Sequence, residues 1–434
     1  MQATRSISID SPEVRRAGRE VLSLALMDAR NHTLHLAGQL EAALGEHLDV
    51  VDLPGIVSPL WTLGHIGWFQ EWWVLRNLQR QRGSHCDPGA VRLASLDTLA
   101  DVWYNPALNG ALNPSISGPA KFRQPPQTRG RDQVPLPDLA GVKRYLLETL
   151  EATLELLEKS PEDDEALYFY RLALLHEDGQ GEALIELAQA LGVALALPLP
   201  GGTSAREPLR VPAARWSLGL ALSDGFAFDN EWPVQLVQVP DFEIDAQPVT
   251  WAQFVEFVDD GGYDRTELWH ADGWKWLAEK AADASEHGGR RGPRYVDQIG
   301  VASGAVMQTR FGKPMRMLGS QSATHVTWWE ADAWARWAGR RLPAEVEWEV
   351  AAHTAARQGF RWGDVWEWTG TTFRGYPGFA PGPWADYSAP HFGSHKVLRG
   401  ASFASRARMK NPKFRGFALP DRDEMFCGFR SCAL

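Results

Sequence analysis

Lys396-Val-Leu-Arg-Gly400 and Phe426-Cys-Gly-Phe-Arg430, close to the C-terminus, decide how the second half of the chain folds. Both stretches are short and mostly apolar, and each contains a glycine, which is typical of short strands joined by irregular loops. Residues 216–434 keep this character throughout, with frequent glycine and dense tryptophan, although residues 328–339 and 344–353 have a helical pattern. The second half therefore predicts a compact α+β domain.

The first half predicts long helices instead. Ser11-Pro12, Ser58-Pro59 and Ser160-Pro161 each place a capping hydroxyl before a proline, whose missing N–H suits the first helical position. Asp138 can cap a further helix whose apolar residues recur every three or four positions. Four such helices predict a bundle over residues 1–196.

Two segments interrupt these patterns. The chain has 434 residues, more than one hydrophobic core usually organises, so two domains are expected. Leu197-Pro-Leu-Pro-Gly-Gly-Thr-Ser204 indicates a linker, taken as residues 197–215, between the bundle and the α+β domain. A long excursion at about residues 84–136 contains several prolines and glycines. Loops of that length are usually functional or poorly ordered.

Composition excludes several classes of protein. The three cysteines, Cys86, Cys427 and Cys432, are too few for a disulfide framework and lack the paired spacing of a zinc site. No apolar run reaches the roughly 20 residues of a membrane span. A net charge of -10 argues against nucleic acid as a partner. We expect a cytoplasmic protein that binds neither membranes nor nucleic acids.

Two histidines far apart in the sequence are candidate metal ligands. His65 lies inside the second helix with aromatic neighbours one turn away, and His176 lies on the last helix of the bundle with Gln180 one turn later. Side chains at i and i+4 share a helix face and can bind one ion. A lone histidine among aromatic residues is also a common core residue, so the residues alone leave both readings open. The zinc-protease motif HExxH is rejected because its second histidine is absent.

The chain resembles the sulfoxide synthases of ergothioneine biosynthesis, in which a DinB-like helical bundle precedes a formylglycine-generating-enzyme-like, C-type-lectin-like domain. The resemblance extends over nearly the whole chain and implies that α+β multidomain fold. It rests on these blocks: Gly64-His-Ile-Gly-Trp-Phe69, Phe242-Glu-Ile-Asp-Ala-Gln-Pro-Val-Thr250, Gly261-Gly-Tyr263, Glu267-Leu-Trp269, Thr324-His-Val-Thr-Trp-Trp329, Trp337-Ala-Gly-Arg-Arg-Leu-Pro343, Glu345-Val-Glu-Trp348, Val365-Trp-Glu-Trp368, Tyr376-Pro-Gly-Phe379, His395-Lys-Val-Leu-Arg-Gly400 and Phe426-Cys-Gly-Phe-Arg430.

The resemblance implies an Fe(II) cofactor held by three histidines. His65 and His176 match two of them, and Glu182 matches the glutamate of the same motif. Gln180 stands where the family has its third histidine, which makes it the third candidate ligand. Three ligands on one side of iron leave open positions for substrate and dioxygen.

The resemblance also implies hercynine as the organic substrate and O2 as the oxidant. Tyr376 matches a tyrosine of the substrate pocket and is the candidate catalytic residue. Phe373 replaces a second family tyrosine, and Phe417 lies where some relatives carry Asn-Trp-Asp. Trp366 and Trp368 are further candidate walls of the pocket, although a role in the core is equally open.

The identity of the sulfur or selenium donor remains open at this point. Arg408 and Arg415 can pair with a substrate carboxylate, or can be surface residues. The tail most resembles selenoneine synthases, which implies a selenosugar donor. The alternatives are a thiol donor, cysteine or γ-glutamylcysteine, as in ergothioneine synthesis, and a non-catalytic protein that binds a betaine or a sugar. The oligomeric state is not predicted.

Overall fold

The computed structural model describes the following residues: 7–48, 57–106, 135–221, 224–283, 290–300 and 305–434. The helices are α1 (Arg19–Leu44), α2 (Pro59–Gln70), α3 (Ala100–Tyr104), α4 (Leu139–Glu158), α5 (Asp164–Leu191), α6 (Trp251–Asp259), α7 (Ala271–Asp283), α8 (Trp328–Trp337) and α9 (Glu345–Thr354). The strands are β1 (Leu209–Val211), β2 (Ala214–Leu218), β3 (Gln235–Val239), β4 (Phe242–Ile244), β5 (Val296–Gly300), β6 (Ala305–Arg310), β7 (Lys313–Met317), β8 (Trp366–Thr372), β9 (Lys396–Gly400), β10 (Gly416–Ala418) and β11 (Cys427–Phe429).

The N-terminal half consists of four long helices, α1, α2, α4 and α5, packed against one another. The predicted cap of α4 is confirmed, because the Asp138 carboxylate accepts the backbone N–H of Gly141. Helix α5 lies at the centre and is buried on nearly every face. The neighbours that bury it are the other helices of the bundle and the C-terminal half of the chain.

One predicted helix start is wrong, and a second, at Ser11-Pro12, is confirmed but begins a 3₁₀ helix. The last bundle helix begins at Asp164, where Asp163 caps it by accepting the Ala166 N–H. The Ser160 hydroxyl instead donates to the Leu156 carbonyl and so belongs to the end of the preceding helix. Pro12 begins only a single 3₁₀ turn, and α1 starts after it.

The C-terminal half is built around a four-stranded sheet in the order β10-β9-β8-β11. Strand β11 runs parallel to β8, while the other neighbours are antiparallel. The predicted helices at 328–339 and 344–353 are confirmed as α8 and α9. A three-stranded sheet, β5-β6-β7, and two strand pairs, β1-β4 and β2-β3, complete this half. Strand β1 lies within residues 197–215, the segment that the sequence assigns to the linker.

Buried carboxylates of α5 join the two halves. Asp178 accepts two hydrogen bonds from the Arg408 guanidinium, at 2.6 and 2.9 Å. Glu182 accepts from the Trp366 indole N–H at 2.8 Å and from the Ser402 and Ser405 hydroxyls. Each of these donors belongs to the C-terminal half, so Asp178 gains its charged partner, and Glu182 gains these three hydrogen bonds, only when both halves are folded together.

None of the helices in the described part of the chain has an apolar stretch long enough to cross a lipid bilayer.

We expect Arg408→Met to lower the free energy of unfolding by about 3–5 kcal/mol, because it leaves the buried Asp178 carboxylate without its partner. Arg406→Met is the matched control, since Arg406 is partly exposed and pairs with Asp28 near the same interface. Its expected loss is about 0–1 kcal/mol. Urea unfolding followed by tryptophan fluorescence measures both. Equal losses in the two variants would contradict the role given to Arg408.

Candidate metal centre and adjoining cavity

Helix α2 holds His65 in one orientation. The ring Nδ1 lies 3.0 Å from the Tyr104 carbonyl oxygen, so in the neutral ring Nδ1 carries the proton and Nε2 keeps a lone pair. The ring also stacks on Trp61 at a centroid distance of 4.6 Å. Gly64 makes this arrangement possible, because a Cβ at that position would overlap the Tyr104 ring. The residue before His65 is therefore a glycine for a steric reason.

Helix α5 brings His176 to the same place. The two imidazole centroids are 5.4 Å apart, and Phe69 stacks on His176 at 3.6 Å. Burial, together with the neighbouring His65, holds the pKa of His176 well below its usual range. The ring is therefore neutral at physiological pH, which is the form that binds metals.

Gln180 completes a set of three side chains. Its amide Nε2 lies 3.3 Å from Nε2 of His176. If the amide nitrogen donates, His176 Nε2 is an acceptor and the proton lies on Nδ1, a buried atom without a hydrogen-bond partner among the described residues. The assignment of amide oxygen and nitrogen is interchangeable by a half-turn of the side chain. Either a donor nitrogen or a ligand oxygen can thus face His176.

These three side chains fit a metal ion of intermediate hardness. With metal–nitrogen bonds of about 2.0–2.1 Å, two rings whose centroids lie 5.4 Å apart can reach one ion. Within the described residues, no cluster of three or more histidines, cysteines and acidic side chains forms a metal site. The candidate centre is therefore two imidazoles plus an amide.

Two acidic residues near His176 have other partners. Glu177 is bound by the Arg30 guanidinium at 2.8 and 3.1 Å and by the Thr33 hydroxyl at 2.8 Å. A carboxylate held in this way is a structural group and not the general base of a zinc protease. Glu182, the residue that matches the family motif, binds the C-terminal half as described above.

A cavity of about 320 Å³ opens beside His65. Half of its described lining residues are aromatic, and Asp386 is the only formally charged one among them. A turn of π-helix, Glu71–Leu75, follows α2 and contributes two of the tryptophans. π-Helical turns occur frequently at functional sites. The lining residues are His65, Trp68, Phe69, Trp72, Trp73, Pro88, Asn105, Pro106, Pro383, Trp384, Ala385 and Asp386.

The structure does not bring Tyr376 to this cavity. Its hydroxyl lies 3.5 Å from a Glu345 carboxylate oxygen and 3.4 Å from an Arg399 nitrogen, and the side chain is buried. Burial raises the pKa of the Tyr376 phenol. Arg415 makes a two-pronged ion pair with the same Glu345, at 2.8 and 2.9 Å, and lies over the Tyr376 ring. These groups form a buried ionic cluster.

The other predicted pocket residues also lie outside the cavity lining. Phe373 and Phe417 stack on each other at 4.0 Å. The Trp368 indole donates to the Val326 carbonyl inside the core, and both Trp366 and Arg408 bind carboxylates of α5. One route of ring contacts connects this group to the histidines, from Phe417 through Tyr387 and Trp384 to His176.

Sequence reasoning missed Trp384, which lines the cavity. Trp384 packs edge-on against Phe69 at 4.7 Å and against His176 at 5.6 Å. No local signal marks it, since it lies more than 200 residues from His176. Trp68 and Trp72 had a signal, because they follow His65 by three and seven residues and so share its helix face. Their rings continue the stack at 5.4 and 5.3 Å.

A family model describes the C-terminal half. Residues 198–364 and 361–433 match the Sulfatase-modifying factor enzyme 1-like domain, which covers more than half of the chain. The formylglycine-generating enzyme of Streptomyces coelicolor is 28% identical over 53% of this chain and 90% of its own length. The fold of this half is therefore that of the formylglycine-generating-enzyme type.

Relatives that align with nearly the whole chain identify its protein family more closely. The hercynine oxygenase of Mycolicibacterium thermoresistibile is 31% identical, over 95% of this chain and 94% of its own length. The hercynine oxygenase of Mycolicibacterium smegmatis is 30% identical, over 95% and 98%. The chain belongs to the hercynine oxygenase family.

Gly64→Ala should weaken Fe(II) binding by about 10- to 100-fold, because displacing Tyr104 removes the carbonyl that orients His65. Gly38→Ala in α1 is the matched control, since a Cβ there meets nothing within 4 Å. Anaerobic titration with Fe(II) measures the dissociation constants, and circular dichroism verifies the fold. Unchanged affinity in a folded Gly64→Ala protein would exclude the proposed steric link.

Proposed function

We propose that this protein is a non-haem iron enzyme that uses O2 to join the imidazole carbon of hercynine to a selenosugar. The observation that carries the proposal is the contact between His65, which lines an aromatic cavity, and the neutral ring of His176, in a chain similar over 95% of its length to a hercynine oxygenase. The chemistry requires a cofactor that activates dioxygen, and the histidine pair supplies a place for one.

Fe(II) is the proposed cofactor, with His65 and His176 as ligands and the Gln180 amide as the third group. Bound iron would activate dioxygen and hold the selenium or sulfur atom in its ionised form. The Tyr104 carbonyl keeps Nε2 of His65 available, and burial keeps His176 uncharged. Phe69 and Trp384 cover His176 and exclude water from its ring.

The walls of the cavity support the two proposed substrates. A trimethylammonium group binds favourably against aromatic rings, and the indoles of Trp68, Trp72 and Trp384 line the cavity. Asp386 adds a negative charge at the rim.

A sugar suits the same cavity better than a peptide donor. γ-Glutamylcysteine carries two carboxylates, and neither lysine nor arginine occurs among the described residues that line the cavity. A neutral selenosugar needs stacking surfaces and hydrogen-bonding groups, which the indoles, Asn105 and Asp386 provide. For this reason we favour the selenosugar over a thiol donor.

The predicted roles of the remaining residues stay predictions. Tyr376 would reach a substrate only after leaving Glu345 and Arg399. Phe373 and Phe417 would support the cavity from behind, through Tyr387 and Trp384.

Mass spectrometry of aerobic reactions tests the proposal directly. The Fe(II)-loaded protein receives hercynine with equal amounts of a selenosugar, a thiosugar, cysteine and γ-glutamylcysteine. We expect a hercynyl selenosugar or selenoneine as the main product, and no product from His65→Ala or His176→Ala. A sulfoxide formed from a thiol donor would assign the protein to ergothioneine synthesis instead. Absence of any product from an iron-loaded protein would favour a binding protein.

Gln180→His should tighten Fe(II) binding by at least about tenfold, because an imidazole is a stronger ligand than an amide for a divalent transition metal. Gln180→Ala is the control and should bind iron no more tightly than the unmodified protein. Anaerobic Fe(II) titration, with Co(II) absorption spectra as a second readout of ligand number, measures both. If the histidine variant bound no more tightly, position 180 would not face the ion.

A further inference from the structure

Strand β6 ends in a buried cation that has no counter-charge. The Arg310 side chain is only 6% exposed, and its Nε donates to the Gln308 side-chain oxygen at 3.0 Å. Across the described residues, no carboxylate forms an ion pair with this guanidinium or raises its pKa. Burial lowers the pKa of Arg310 to about 10, so the group is charged at neutral pH.

A second donor beside Arg310 also lacks a partner. Gln308 is fully buried, and its amide nitrogen makes no hydrogen bond to any described residue. The side chains of Gln308 and Arg310 face inward from β6, because alternate residues of the strand are buried. Gln189 of α5 holds the end of the strand by donating to the Thr309 carbonyl and accepting the Phe311 N–H. The two donors are thus fixed on a rigid strand.

Backbone strain is concentrated around the same point. Tyr295, Phe311 and His325 have φ of +63°, +47° and +62°. They are three of the four residues other than glycine with positive φ in the described part of the chain. The Tyr295 and His325 rings are in contact at 4.8 Å, and the Tyr295 hydroxyl is buried without a partner. Strained residues of this kind cluster at ligand-binding sites.

Asp423 and His325 do not compensate for the charge of Arg310. Asp423 is engaged by Arg290 and by Arg294, the latter at 2.9 Å. His325 donates its Nδ1–H to the Asp423 carbonyl, and its pKa is lowered to about 3 by burial and by Arg310. It is therefore neutral. A buried charge without a partner destabilises the folded state.

We propose that Arg310 and Gln308 bind the carboxylate of a small organic acid, at a site separate from the metal centre. A single planar guanidinium matches one carboxylate through two parallel hydrogen bonds, and the Gln308 amide supplies a third donor. A phosphate dianion would keep one negative charge uncompensated there. The strand is anchored at Gln189, 13 residues after His176 and so about 20 Å along α5. The site does not depend on the proposed iron chemistry.

Thermal melts and calorimetric titrations with acetate, succinate and phosphate, at constant ionic strength, test this site in the metal-free protein. We expect acetate or succinate to raise the Tm of the unmodified protein in a concentration-dependent manner and to bind with a stoichiometry near one. Arg310→Met should lose that shift. Arg316→Met, which removes an exposed arginine from the neighbouring strand β7, should retain it.

Arg310→Lys keeps the charge but loses the planar fork, so its carboxylate affinity should fall about tenfold; it replaces the methionine variant if that protein does not fold. Equal Tm shifts in the unmodified protein and in Arg310→Met would overturn the site. The site would also be overturned if Arg310→Met had a lower Tm than the unmodified protein but the same increase in Tm on addition of carboxylates. Stabilisation by phosphate alone would overturn the assignment to a carboxylate.

Discussion

The fold depends on partners for two buried carboxylates of one helix: an arginine for Asp178, and an indole and two hydroxyls for Glu182. Asp178 and Glu182 lie in the buried middle of α5. The hydrogen bonds described for both carboxylates come from residues of the C-terminal half. Because His176 and Gln180 are interleaved with them on the same helix, the contact that joins the two halves also fixes the height and rotation of the candidate ligands. The candidate metal ligands and the interface between the halves are therefore positioned by the same helix.

The geometry at the histidines follows from steric room as much as from the ligands themselves. Gly64 leaves room for the Tyr104 ring against α2, and the Tyr104 carbonyl accepts the hydrogen bond that orients the His65 ring. On the other side, Phe69 and Trp384 enclose His176. The charged cluster of Arg415, Arg399 and Glu345 lies behind this aromatic layer, where its charges satisfy one another.

Local sequence patterns predicted much of the fold. The cap at Asp138 and the helices α8 and α9 are where the sequence predicted them, because their signals involve residues only a few positions apart. Ser160-Pro161 failed because an aspartate three residues later is an equally good cap and the serine hydroxyl bonds backwards. For the site, the sequence indicated His65 and His176, whose rings do meet. Trp384 and the ionic cluster around Tyr376 arise from contacts between distant segments, which no local pattern encodes.

The stacked rings of α2 and of the π-helical turn after it affect tryptophan fluorescence. Trp61, His65, Trp68 and Trp72 form one continuous stack along a single face. An ion on His65 would sit one ring away from two indoles, and a paramagnetic ion at that distance quenches indole emission. If the ion binds as proposed, its loading would be measurable from the decrease in emission of these indoles, without an added label.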